Sequence, residues 1–311
     1  MTEPQLATAT GDTVAAANMA ALEARKTTRI PSPGYVAMKR FFRHKLAVFG
    51  LVVLVIMIGL AIFAPWVTPY EPNQIDLLAR NQGPTSEHWF GTDRTGRDIL
   101  TRTIYAGRIS LSVGVVAVAI SVLIGATLGS IAGYFGGVWD SIIMRFTDII
   151  MTFPAIVAIL TLAAITGPGV RNIMIIIGIL NWPVPARLVR SKLLTIRNQE
   201  YIHAAQALGV PPSRIILRHA MPNAIDVLLV YSSLGVATAI LLEAGLSFLG
   251  LGVQPPTSSW GNMLNVARDV STLESAPWQW LPAGFAIVIA VLAVNFVGDG
   301  LRDAFDPRMK L

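Results

Sequence analysis

Side chains able to do chemistry are sparse in this chain, and their spacing excludes most of what they could do. The four histidines, His44, His88, His203 and His219, fall in separate segments, and no pair has the short helical spacing that would place two imidazoles on one metal. None of the five lysines follows a glycine, so the Gly-Lys of a phosphate-binding loop is absent and ATP must be bound elsewhere. Cysteine is absent too, which excludes disulfides, thiolate nucleophiles and cysteine-ligated metals. No nucleophile triad can be assembled from spacing. Catalytic residues, metal ligands and cofactor sites are therefore not expected in this chain.

One acid stands out, because Glu243 lies inside an otherwise uncharged apolar stretch, where an ionisable group is a functional candidate by default. Counted from an entry near Ile225, it is 18 residues along, roughly 27 Å of helix axis. That depth is near the outer interface and argues against a proton relay at the midplane. Two readings stay open for Glu243: a polar structural contact, or, together with Trp260, a place at the outer mouth of a path.

The elements that must position these residues are membrane helices. Only 14% of the 311 residues are charged against about 25% in an ordinary soluble domain, while 53% are apolar and the mean hydropathy is +0.59. Such a chain cannot cover a globule with polar groups, so much of its surface faces lipid. Residues 1–34 are rich in Ala and Thr and are predicted to be a disordered tail. Residues 35–45 place Tyr35, Met38 and Phe42 on one face and basic residues elsewhere, as an interfacial helix would.

The remainder, 46–311, is predicted to be one all-α domain of six membrane spans, at 46–67, 109–132, 149–166, 172–188, 226–249 and 281–298. The fourth is short and interrupted by Asn181, Pro183 and Pro185, which predicts a kink. With both termini inside, 17 basic residues fall in the cytoplasm and 7 outside, so the net charge of +6 is a topology signal and no nucleic-acid partner is required. This arrangement leaves a long outer loop, 69–108, in which Asp98 and Arg102 have the spacing of a helical ion pair.

In the second span, small residues recur every four positions at Ala117, Ser121, Gly125, Gly129 and Gly133, on the one face where another helix can approach closely. Spacing does not tell whether that helix belongs to this chain or to another. The 189–224 loop is the most informative segment. Helix formers run to Gly209, Pro211-Pro212 enforces a turn, and Ser213 is placed to cap a second helix ending before Pro222. Ala204-Ala205 leave a smooth face able to seat against a partner; the alternative is a solvated basic connector.

The spacing of Ala204-Ala205, Gly209 and Met221-Pro222 resembles the loop by which bacterial ABC-importer permeases dock on their ATP-hydrolysing subunits. His203 stands where that pattern has Glu, and Met221 where it has Leu. Phe90-Gly91-Thr92-Asp93, Gly96-Arg97-Asp98, the run from Glu243 to Gly252, Trp260-Gly261-Asn262 and Gly298 to Asp303 with Asp306-Pro307 narrow the resemblance to the second permease subunit of dipeptide, oligopeptide and nickel importers. The resemblance implies a coupling site at Tyr201, His203, Ala204, Ala205, Leu208, Gly209, Arg218, His219, Pro222 and Asn223. It also implies a second permease subunit, two ATP-binding subunits that hold ATP and Mg2+, an extracytoplasmic peptide-binding protein, and residence in the bacterial inner membrane. Import of nickel or another small solute is the rival within that family. An ion-coupled secondary transporter, which needs midplane acids, and a membrane assembly protein are the rivals outside it.

Overall fold

The computed structural model describes residues 33–305. The predicted tail falls outside the described residues up to position 32, as does Asp306-Pro307. Apart from one antiparallel bridge between Thr92 and Asp98, the described residues form helices and their connections.

α1 (Pro33–Arg43) leaves Tyr35, Met38 and Phe42 exposed and ends before His44, whose ring accepts the Ala47 amide and so caps α2 (Lys45–Ile62). The chain then crosses a long connection to α3 (Ile99–Phe135), which is capped by Asp98 accepting the Thr101 amide at 2.7 Å. α3 is 37 residues long, about 55 Å of axis, far more than the 109–132 stretch that its apolar run alone suggests. Its first turns carry Arg102 and Arg108 and stand in the polar connection, so hydropathy does not mark them.

The third apolar stretch is not the single span 149–166 expected above. It splits into α4 (Gly137–Thr152) and α5 (Ala155–Thr166), bent by 85°. Pro154 is the cause, since it has no N–H to continue the ladder and drives Phe153 into extended backbone at φ −80°, ψ 137°. The fourth stretch behaves differently despite two prolines. α6 (Val170–Asn181) and α7 (Pro183–Ile196) together qualify as one apolar span, because Trp182 stays helical and Pro183 opens α7, where its missing N–H is harmless. Pro185 still cannot bond the Asn181 carbonyl; the Tyr231 hydroxyl donates to it instead, at 3.2 Å.

The short α8 (Glu200–Ala207) leads through turns to α9 (Ile225–Phe248), and α10 (Trp260–Leu264) and α11 (Val270–Ser275) precede α12 (Leu281–Phe305). Five apolar helical segments are long enough to cross a membrane, or six if α4 and α5 together make one crossing.

Packing is organised around α3. In lipid the hydrophobic effect does not drive helices together, so close approach and van der Waals contact must. The small-residue face meets this chain's own α7: a Cβ added to Gly125 would lie 2.8 Å from the Trp182 carbonyl, and one added to Gly133 would lie 2.8 Å from that of Arg190. Gly129 sits between them against the Ala186 backbone. Two ion pairs then hold α4 to α7, Arg190 to Asp140 and Arg187 to Asp148.

Gly129→Ala should therefore lower the melting midpoint of the purified protein, since overpacking of such a contact typically costs about 1–3 kcal/mol. Gly59→Ala, whose Cβ would meet nothing within 4 Å, is the helix control and should leave the midpoint unchanged or slightly higher. Equal midpoints for the two variants would show that the α3–α7 approach is looser than described.

Candidate coupling site

α8 has eight residues, too few to persist alone in water. It is held by a base of buried side chains in which Ile202 and Ile215 from the loop pack with Val189 and Leu193 of α7 and Leu228 of α9. The helix closes in a Schellman motif. Gly209, at φ +74°, donates to the Gln206 carbonyl at 2.9 Å, and the Val210 amide reaches back to that of Ala205 at 3.1 Å. A Cβ on Gly209 would meet no neighbour, so its requirement is conformational alone.

Two expectations change here. Ser213 does not cap the second helical segment; Pro211 takes the cap position in extended backbone and Pro212 starts the turn Pro212–Ile215. Proline's fixed φ does what a side-chain cap was expected to do. The alanine pair also divides: Ala204 is exposed, whereas Ala205 is half-buried against the base, so only Ala204 presents a smooth outer face.

The outward surface consists of Tyr201, His203, Ala204 and Leu208 from α8, Gly209, and Arg218, Pro222 and Asn223 from the return segment. Leu208 is 84% exposed. His219 is half-buried, and its carbonyl accepts from the Asn223 side-chain Nδ2 at 2.7 Å. Met221, the motif's departure from Leu, lies against Ser130 of α3, whose hydroxyl is 3.0 Å from its sulfur, and Gln206 bonds the Tyr134 hydroxyl at 3.3 Å. The loop is thus a packed knob bound to α3, α7 and α9, with Leu208 and Ala204 exposed among polar residues on its outer face.

At the opposite end of the helices, Glu243 is wholly buried. Ser110 of α3 donates to one carboxylate oxygen at 2.9 Å and Ser247 to the other at 2.7 Å. Each serine in turn accepts a backbone amide, Ser110 from Trp260 and Ser247 from Val253. Trp260 is 2% exposed and donates its indole N–H to the Thr103 carbonyl. Glu243 is enclosed by α3, α9 and α10, as a polar structural contact would be, and Trp260 packs among the same helices while also lining an apolar cavity with Met57, Phe285 and Ile289.

Asp93 is a principal tie of the turn before α3. Asp93 accepts the amides of Thr95 and Arg97, the Thr95 hydroxyl at 2.7 Å and the Arg97 guanidinium at 2.7 Å. Burial would raise the pKa of this carboxyl, but those bonds and the Arg97 charge outweigh it and hold it below the usual carboxylate range. Asp98 does not pair with Arg102; it is committed to the helix cap and to His88 at 3.0 Å. The turn is fastened to the segment before α12, through Arg94 to Asp269 and Thr272 and through Trp278 to the Thr92 carbonyl. Sequence separation hides all of these ties.

Glu243→Ala should lower the melting midpoint by an amount worth about 1–3 kcal/mol, because it orphans two buried hydroxyls. An unchanged midpoint would remove Glu243 from this structural role.

Comparison with known proteins agrees with this geometry. Residues 125–311 match the family described as binding-protein-dependent transport system inner membrane component, and residues 32–84 match the N-terminal TM domain of oligopeptide transport permease C. A putative peptide permease protein of Brucella suis biovar 1 is 51% identical over 88% of this chain and 90% of its own length. A dipeptide transport system permease protein of Alkalihalophilus pseudofirmus is 47% identical over 90% of this chain and 91% of its own. The fold is similar to that of a chain from inward-facing structures of the MetNI methionine ABC transporter, with a TM-score of 0.51 at 16% identity over 67% of this chain and 98% of that one. The chain belongs to the family of binding-protein-dependent ABC transport permeases, in the branch that carries the oligopeptide permease C N-terminal domain.

Proposed function

We propose that this chain is one of two permease subunits of an ATP-driven importer of di- or oligopeptides in a bacterial inner membrane. It crosses the membrane six times with both termini in the cytoplasm, α4 and α5 together forming the third crossing. The observation that carries the reading is the knob of α8, an outer face with exposed Leu208 and Ala204 on a base shared by α7 and α9. Such a face fits a groove on a partner, and packed roots let movement of that partner turn the spans. ATP and Mg2+ belong to the two partner ATPases, and a peptide-binding protein delivers cargo to the opposite face. The peptide assignment rests on what the similar proteins are named for, and the 17 to 7 division of basic residues supports the orientation.

Orientation is tested with single cysteines in a chain that has none of its own. Ser213→Cys and Ser86→Cys are both exposed positions; a membrane-impermeant maleimide added to intact spheroplasts should label the second and spare the first. Labelling of both would sink the six-crossing arrangement.

Coupling is tested at Ala204, which faces outward where Ala205 does not. Ala204→Glu should cut cargo-stimulated ATP hydrolysis and uptake at least tenfold while the permease pair still assembles, and Ala204→Ser should retain most of both. Normal uptake by Ala204→Glu would reduce the knob to a solvated connector.

A further inference from the structure

At the end opposite α8, a buried and a half-buried cation share one carboxylate. Arg97 takes Asp93 at 2.7 Å, which leaves Arg102 at 4.0 Å from the same group. Arg102 is 6% exposed, and its Nη1 has no hydrogen-bond partner among the described residues. Asp98, the nearest acid in sequence, is already committed to His88 and the α3 cap. Arg102 also lies in the first turns of α3, where the helix dipole adds positive potential and so compounds the imbalance. A buried guanidinium with so incomplete a counter-charge is costly.

Arg102 opens onto a cavity of about 190 Å³, lined also by Asp93, Arg97, Asn262, Asn265 and Gln279, with exposed Pro255 at its rim. One water occupies about 30 Å³, so a small molecule fits. Gln279 decides which kind. It is 2% exposed, its amide nitrogen is spent on Asn81 at 3.0 Å, and its Oε1 has no partner. A bare anion would satisfy Arg102 and leave that acceptor orphaned. A carboxylate carrying a hydrogen-bond donor satisfies both.

We propose that this cavity, walled by the turn before α3 and the segments around α10 and before α12, binds a small α-amino acid, with its carboxylate on the Arg102 guanidinium and its ammonium toward Gln279 Oε1. The planar fork of arginine suits a carboxylate better than a spherical ion. The bound molecule would add to the ties among these segments that Arg94, Trp278 and the Gln279–Asn81 bond already make. This site is separate from the knob and does not depend on what the importer carries.

The test is equilibrium binding of radiolabelled L-alanine to the full chain in lipid nanodiscs. Saturable binding at one molecule per chain is expected, with unlabelled glycine displacing it and acetate or chloride at least tenfold less effective. Arg102→Lys keeps the charge and loses the fork, while Val266→Phe leaves the charges in place and fills the cavity, which Val266 lines. Each should raise the half-saturating concentration at least tenfold in protein that elutes as the wild type does. No saturable binding would mean that the cavity holds water only, and acetate or chloride competing as well as glycine would make it a plain anion site; either result overturns the proposal. So would unaltered binding in Val266→Phe.

Discussion

The close approach of α3 and α7 is the contact on which the rest of the structure depends. Three glycines remove the side chains that would keep two helix backbones apart, so α7 lies at a depth and angle that no bulkier face allows. α7 runs directly into the turn before α8, and its Val189 and Leu193 form part of the base on which α8 stands. α4 is drawn to the same helix by Arg190 and Arg187. The glycine face therefore sets where the knob stands relative to the spans, although its three glycines lie on α3 and not in the loop itself.

A second constraint is that backbone groups in an apolar medium must be satisfied within the chain. The same residue type meets it in two ways. Pro154 falls where no neighbour compensates and the helix turns through 85°. Pro183 and Pro185 fall where Trp182 can stay helical and Tyr231 can reach the stranded Asn181 carbonyl, and the helix continues. Proline alone does not decide between a bend and a span; the partner from α9 does.

This explains what was legible in the sequence. The apolar runs, the small-residue period and the Gly209 closure are local patterns; most of the runs fall within an observed helix, but the one at 149–166 is divided by the bend at Pro154. The long start of α3 was hidden because its first turns are polar, and its cap, Asp98, was misassigned to Arg102 because helical spacing says nothing of His88, which lies outside the helix. Glu243 was ambiguous for a similar reason. Its serine partners include Ser110, far away in sequence, and only packing reveals that both carboxylate oxygens are engaged. The division of Ala204 from Ala205 depends on the angle at which α8 meets its base, which composition cannot specify.

α3 and α9 connect the two ends of the molecule. α3 begins at the fastened turn before Ile99 and finishes at Tyr134, which holds Gln206 of the knob; α9 begins beside the knob at Leu228 and ends at the Glu243 staple. Both are unbroken helices, and the staple joins them at the end far from the knob. On the proposed reading, a displacement imposed at α8 cannot be absorbed by slippage between α3 and α9 at that far end, because it would have to expose a buried carboxylate and two hydroxyls. The weaker point is instead the helical continuation from α6 into α7 at Pro183 and Pro185, where one tyrosine hydroxyl stands in for a backbone bond.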